Sequence, residues 1–437
     1  MSRVIRRHWV TDAESLSRRD RRSCDYEAYV PDQLVGRRIA LESEVAADVT
    51  DAEIAIATFD AQGMSLADTE ALARILLRAE SVASSRIEGL EVGARRLLRA
   101  EAALQLGQST SDVTADEVLA NIDAMATAVR SIEANDTITV SQLLTFHRRL
   151  LAGTRWEDHG GKVRTEQNWI GGSDYNPCSA SFVPAPAEYV PDLLTDLCAF
   201  CNSDDLPAVA QAAMAHAQFE TIHPFVDGNG RTGRALIQMI FRRRGLATQV
   251  LPPVSLVLAT WARDYVGGLT ATRYRGPATS RAAHDGANLW ISRFAAACSR
   301  AVAEATSFER RAENIEAEWR QRLDRVRARS ATDLLVRALI GAPVLTATGA
   351  SDLIGRSFPQ TNEAIARLAE AGILKQITVG KRNRAFEAPD VIDAFTDLER
   401  QLASPAAGMR RSEPVRPVPA RQQAGKTAAH PARSSRR

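Results

Sequence analysis

No stretch of the 437-residue chain approaches the ~18 consecutive apolar residues that would cross a bilayer. The N-terminus, Met1-Ser-Arg-Val-Ile-Arg-Arg-His8, carries charges with no apolar run behind them, so a signal peptide is not expected. Cysteine is scarce and odd in number: Cys24, Cys178, Cys198, Cys201 and Cys298. That usage predicts free thiols in a reducing cytoplasm, not a disulfide framework. Cys198 and Cys201 have CxxC spacing, but a second pair is missing and the stretch around them is apolar and helical. They read as buried structural thiols, not zinc ligands. A P-loop is also absent, because the Gly-Lys pairs at Gly161, Gly380 and Gly425 lack a glycine five residues earlier. No Rossmann fingerprint follows a strand. Net charge is close to nil, 55 Lys+Arg against 53 Asp+Glu, but it is unevenly placed. Residues 405–437 hold eight Lys/Arg and one Glu, leaving the remainder at −5. Whole-molecule attraction to nucleic acid is therefore not indicated.

Strand-like β-branched runs are few and short, so the chain reads as mainly α. Its length suggests two to four domains at roughly 100–200 residues each. Residues 1–30 are Arg-rich and aperiodic, a flexible N-terminus. Helical spacing predicts helices over about 66–83, 115–132, 140–151, 190–202, 206–220 and 231–244. Between Gly160 and Pro186 the texture changes to Gly, Pro, Asn and Ser around Trp169-Ile170 and Phe182-Val183, which could pair as a hairpin. A helical stretch to about Ala305 passes into a charged connecting helix over 306–330. Residues 331–402 then read as a separate unit of three helices and two short strands, the winged-helix pattern. Residues 403–437 form a Pro/Ala/Arg-rich tail without the apolar residues to fold.

The chemistry concentrates in His223-Pro-Phe-Val-Asp227-Gly-Asn-Gly-Arg231-Thr-Gly-Arg234, set between two helices. Gly228 and Gly230 let the backbone approach a ligand with its N–H groups turned inward. Those amides open the next helix, where the dipole favours an anion. Arg231 and Arg234, three apart, share a helix face and can reach one polyphosphate. Asp227 is a hard oxygen ligand suited to Mg²⁺, and His223 can take a proton near neutral pH. The ensemble is a triphosphate cradle with a base at one edge. His147 and His216, on helices among apolar neighbours, read as packing histidines.

This stretch matches the HxFx(D/E)GNGRxxR signature position for position, and the chain resembles the Fic-domain family over about residues 30–305. Ala215–Ile222, Phe146–Leu150, Gly161–Arg164 and Phe182–Pro184 also fit. The resemblance implies a helical core (residues 111–305) with a β-hairpin flap, preceded by a helical region (31–110). It implies transfer of AMP from ATP to a Ser, Thr or Tyr hydroxyl of a target protein or of the chain itself, with pyrophosphate leaving. His223 would be the base and Asp227 the Mg²⁺ ligand. Gly228, Asn229 and Gly230 would meet phosphate oxygens, Arg231 and Arg234 the β- and γ-phosphates, and Tyr265 would lie near the adenine. The flap, about 165–183, would align the target by strand addition.

Ser84-Ser-Arg-Ile-Glu88-Gly89 resembles the family's (S/T)xxxE(G/N) inhibitory motif, in which the glutamate pairs with the second signature arginine, here Arg234. The guanidinium fork that should hold the γ-phosphate is then occupied. Such an enzyme rests nearly silent. In the C-terminal unit, Gln360, Thr361, Asn362 and Arg367 on the expected recognition helix, with Lys381, Arg382 and Arg384 on the wing, could contact DNA. Glu363 and Glu370 beside them equally suit a protein-docking or homodimerisation module. Removal of AMP by the same site, and a nucleotide-sensing DNA-binding regulator, are the alternatives. Full retention of base, carboxylate and both arginines argues against a purely sensory role.

Overall fold

A computed structural model describes residues 1–10, 21–63, 69–107, 112–379 and 383–403. An antiparallel hairpin, β1 (Arg3–Trp9) and β2 (Cys24–Val30), comes first, pairing Arg3 with Val30 and Trp9 with Cys24. Three helices follow: α1 (Ser43–Gly63), α2 (Thr69–Ile87) and α3 (Ala94–Gln105). The central helices are α4 (Val113–Arg130), α5 (Val140–Leu151), α6 (Val190–Cys201), α7 (Ala208–Ile222) and α8 (Asn229–Arg243). Then come α9 (Val254–Thr260), α10 (Ala262–Ala271) and the 42-residue α11 (Arg281–Arg322). The C-terminal unit comprises α12 (Ala331–Gly341), β3 (Val344–Thr346), α13 (Ala347–Ile354), α14 (Phe358–Glu370), β4 (Lys375–Val379), β5 (Asn383–Glu387) and α15 (Pro389–Ala403). Its sheet order is β3-β5-β4, antiparallel.

Local chemistry sets the helix starts. Thr139 and Gln142 form a reciprocal capping box on α5, Asp112 accepts from the Ala115 N–H on α4, and Ser280 caps α11. α7 is buried along its whole length, and α8 along nearly all of it, which is why their sequences show no polar stripe. α11 braces this pair: Trp290 is fully buried and donates its indole N–H to the Ala213 carbonyl at 2.7 Å. The functional loop is thus carried between the two most deeply buried helices.

Four expectations are corrected. Residues 1–30 form an ordered hairpin where described, because Tyr29 and Val30 are buried and Trp9 packs edge-on against Trp169 at 5.2 Å. Cys24 and Cys178 are not free thiols but a disulfide, with Cα atoms 5.7 Å apart. The partners lie 154 residues apart, so spacing gave no hint, and they meet because β2 lies against the segment around Pro177–Ser179. Cys198, Cys201 and Cys298 remain buried free thiols, and burial pushes the Cys198 thiol up to about 12. The segment expected to form a flap holds one isolated bridge, Ile170 with Phe182, and no extended strand. Finally, the C-terminal unit does not stand apart: one apolar core runs from Val30 to Leu398 and joins Leu335, Leu339 and Phe395 to α2 and α11. Among the described residues no helix is long and apolar enough to cross a membrane.

Candidate active site

The loop between α7 and α8 is held shut by its own side chains. His223 ends α7 in the left-handed region (φ 50°), turning its imidazole out of the helix. Gly228 begins α8 with φ 75°, where a side chain would be strained and would crowd Leu150. Asn229 accepts from the Phe225 N–H at 2.8 Å and donates to the Phe225 carbonyl at 2.9 Å, so its amide closes the turn. The Asn229 side chain is therefore engaged within the turn, on both backbone groups of Phe225. From below, Gly161 donates to His147 Nδ1 at 3.0 Å and His147 Nε2 donates to the Asp227 carbonyl at 2.9 Å. Burial first, then nearby cations, lowers His147 to about 4, so it stays neutral; it stacks on Phe225 at 3.7 Å. Arg164 Nε and Asn168 Nδ2 both donate to the His223 carbonyl.

Charge at the site is uneven. Burial drives His223 down to about 4; Glu88 opposes this, and Arg164 and Arg273 reinforce it. The imidazole is therefore neutral at pH 7 and able to accept a proton. Asp227, 38% exposed, takes Arg231 Nη2 on one oxygen at 2.8 Å. Arg231 is buried, and its Nε and Nη1 have no hydrogen-bond partner. Two buried guanidinium N–H groups left unpaired ask for an anion.

Arg234 is the opposite case. Its Nε donates to Ser84 Oγ at 2.8 Å, Nη2 to the Ser84 carbonyl at 2.8 Å and to Glu88 Oε1 at 2.7 Å, and Nη1 to the Tyr265 hydroxyl at 3.4 Å. Burial pushes the Glu88 carboxyl up, but Arg234, with Arg231 and His223, outweighs it and the group ends below the usual carboxylate range. Glu88 lies beyond the last turn of α2, where Gly89 (φ 83°) reverses the chain. The carboxylate rests directly on the loop: a Cβ at Gly230 would stand 1.9 Å from Glu88 Oε1, so only glycine allows this contact.

Above these groups opens a cavity of about 770 Å³, lined among others by Glu88, Glu220, His223, Arg234, Tyr265 and Arg273. Tyr265 does line it, but its hydroxyl is shared with His216 Nε2 at 2.8 Å. His216 is buried, neutral and stacked on the Tyr265 ring. The roof is the N-terminal hairpin together with residues 170–183: Tyr26 and Glu27 on one side, Cys178 and Phe182 on the other.

The Fic/DOC family model matches residues 137–241, and the Fic/DOC N-terminal model matches residues 46–130. Residues 46–130 and 137–241 thus match the two Fic/DOC family regions. It is similar to protein adenylyltransferase fic-1 of Caenorhabditis elegans, 34% identical over 134 residues, which is 30% of this chain and 23% of that protein. Protein adenylyltransferase Fic of Culex quinquefasciatus is 30% identical over 173 residues, 38% of this chain and 32% of that one. The chain therefore spans only about a quarter to a third of the curated relatives it matches. Among solved structures, a Fic family protein from Desulfovibrio desulfuricans G20 has a TM-score of 0.49 at 21% identity, over 80% of this chain and 97% of that chain.

The Fic/DOC loop thus brings His223, Asp227, Gly228, Gly230, Arg231 and Arg234 together with Ser84, Glu88 and Tyr265. The expected DNA-facing set does not assemble in the same way. Gln360, Asn362 and Arg384 are exposed, but Thr361 is buried on the Ser357 carbonyl and Arg367 is spent on the carbonyls of Leu323 and Arg325. Lys381 and Arg382 lie outside the described residues. Sequence reasoning missed Glu220, whose only signal was its place one turn before His223. It also set His147 aside as packing, although this side chain props the loop.

Proposed function

We propose that the chain is an autoinhibited protein adenylyltransferase, moving AMP from ATP to a side-chain hydroxyl of a protein. The observation that carries the reading is the state of the loop: a neutral imidazole at its start and, eight residues on, a buried arginine whose Nε and Nη1 lack partners. His223 takes the proton of the incoming hydroxyl; the hydroxyl oxygen then forms a bond to the α-phosphorus, and the bond to pyrophosphate breaks. Arg231 and the first N–H groups of α8 bind the charged oxygens, so positioning and electrostatics supply most of the rate. For Mg²⁺, Asp227 fits as the single protein ligand, since it is partly exposed and only one of its oxygens is engaged by Arg231. When bound, the ion neutralises phosphate charge, and a Mg²⁺ site of one carboxylate plus phosphates and water is ordinary.

Autoinhibition is supported by the Glu88–Arg234 contact, which fills the fork that a γ-phosphate would use. In the C-terminal unit, α12 to α14 with the β3-β5-β4 sheet suit a winged helix, and its exposed Gln360 and Asn362 leave DNA a narrow face. The test is to incubate wild type, Glu88→Gly and His223→Ala with α-labelled ATP and Mg²⁺ and follow label into protein. Label in Glu88→Gly above wild type, and none in His223→Ala, is the expected result. An unlabelled Glu88→Gly protein would sink the proposal.

A further inference from the structure

Glu220 stands one turn before His223 on α7, 7% exposed, in the wall of the same cavity. Its Oε2 is 4.0 Å from His223 Nδ1. Neither Glu220 Oε1 nor His223 Nδ1 has a hydrogen-bond partner, although the Glu220 main-chain carbonyl also faces that nitrogen. The fold keeps room for this carboxylate, because a Cβ at Gly233 would stand 2.7 Å from Oε1. A second buried glutamate shows what a structural role looks like. Glu80 accepts from the Ser255 N–H at 2.7 Å and from its hydroxyl at 2.6 Å. Glu220 has no such anchors, and an unanchored buried carboxyl facing an unanchored imidazole needs a reason.

We propose that Glu220 is the positioning residue of the base: its carboxylate holds the Nδ1–H of His223, so that Nε2 is the nitrogen left free for the target hydroxyl, and it stabilises the imidazolium once formed. The inference rests on the adenylyl-transfer reading. In the step, the hydroxyl proton passes to Nε2 and the Nδ1 proton stays where it is. Glu220 contributes charge and direction and takes no proton. The 4.0 Å separation is the resting distance; a shift of about 1 Å brings the pair into hydrogen-bond range, and such contacts commonly tighten when substrate binds.

The charged and titratable groups around Glu220 set its behaviour. They are Arg234 from α8, Glu88 beyond α2, Arg273 and Tyr265 from α10 and the segment after it, and His216 and His223 from its own helix. Burial raises the carboxyl to about 7, with Arg234 and Arg273 opposing and Glu88 assisting. His223, at about 4, is already neutral there. Transfer should therefore rise as pH climbs through about 7 and Glu220 ionises.

The test uses the full chain with Glu88→Gly, alone and with Glu220→Gln or Glu220→Asp. Glu220→Gln keeps the backbone carbonyl and removes only the charge. It should lower kcat roughly 10–100-fold, hold the KM for ATP within about threefold, and flatten the rise near pH 7. Glu220→Asp should restore part of that rise. Nitrogen-15 spectra of the imidazole are read in parallel: in the resting chain His223 should carry its proton on Nδ1, and Glu220→Gln should mix the two tautomers. Unchanged kcat and pH profile in Glu220→Gln, or a His223 tautomer indifferent to it, overturns the inference. If the Glu88→Gly parent transfers nothing, the adenylyl-transfer reading fails by itself, and the tautomer experiment still decides whether Glu220 orients His223. Should Glu220→Gln fail to fold, a wild-type His223 protonated on Nε2 is enough to reject it.

Discussion

Arg231 and Arg234 lie three residues apart on α8, both almost fully buried, and end in opposite states. Arg231 spends one nitrogen on Asp227 and leaves two without partners. Arg234 has all three engaged, by Ser84, Glu88 and Tyr265. The two share a helix and a charge, so the difference arises from what packs against each. Only Arg234 faces the end of α2. The proposed autoinhibition would therefore need no defect in the loop: Arg231 has nitrogens free, and Arg234 is covered by a carboxylate from elsewhere in the chain.

The largest expected effect comes from removing the base at the open end. In the Glu88→Gly background, His223→Ala should cut label transfer by about 10²–10⁴-fold while nucleotide affinity changes only a few-fold. More than a tenth of the parental rate would mean that His223 is not the base. Opening the closed end is next. Glu88→Gly should raise self-labelling roughly 30–150-fold, equivalent to ~2–3 kcal/mol of productive binding. Glu88→Gln removes charge without adding backbone freedom, so equal activation by both assigns the effect to the carboxylate. Arg234→Ala must not activate, because it removes the inhibitor's anchor and the phosphate ligand together.

The two arginines should also separate in nucleotide binding. Arg231→Ala should weaken ATP binding in wild type and in Glu88→Gly alike, by about 1.5–3 kcal/mol, or ~10–150-fold, read by calorimetry. Arg234→Ala should weaken it only after Glu88 is removed. Acid should not release the closed end. The Glu88 carboxyl is held below its ordinary range, so the pair contributes stability above the unfolded pKa and loses it only as pH falls through the lower, folded value. Self-labelling of wild type should therefore stay low at pH 5. Strong activation there would show that something other than Glu88 ionisation keeps the site shut.

What the sequence disclosed follows from how local each signal is. The loop was legible because twelve adjacent residues carry it, and α5 ran from Val140 to Leu151 as its Thr139 cap and apolar spacing require. Glu88 and Arg234 were legible as a pair only through the family resemblance, since 146 residues separate them. The Cys24–Cys178 disulfide and the Trp9–Trp169 contact carried no local sign, and β1, with Arg3, Arg6, Arg7 and His8 among its seven residues, hid its pairing under charge. The turn-closing bonds of Asn229 to Phe225 were not legible either, since the residue stood out only as a signature position. The C-terminal unit looked separate because helix faces reveal that they are buried, not what buries them.

That last contact gives the smallest effect and a way to sharpen the contrast. Arg86, two residues before Glu88, pairs at 3.0 Å with Glu399 on α15, so the end of α2 is pinned at a second point. Glu399 is buried and its carboxyl is raised, by desolvation first, with Arg86 pulling it back. A raised folded pKa means that the group favours the folded state below its unfolded pKa and loses that contribution as pH rises through the folded value. Arg86→Ala takes away the opposing charge, so the loss at high pH deepens. The variant should lose about 1–3 kcal/mol at pH 8, the cost of an unpaired buried carboxylate, and less at pH 4.5, because a raised carboxyl takes up its proton more readily as pH falls. Thermal melts at both values measure this. Because Ser84 and Glu88 still hold Arg234, self-labelling should rise by no more than about threefold, well short of Glu88→Gly. If Arg86→Ala activated as strongly as Glu88→Gly, the closed end would depend on the position of the whole helix and not on one carboxylate. An equal loss of stability at pH 4.5 and 8 would mean instead that the pair acts through packing alone.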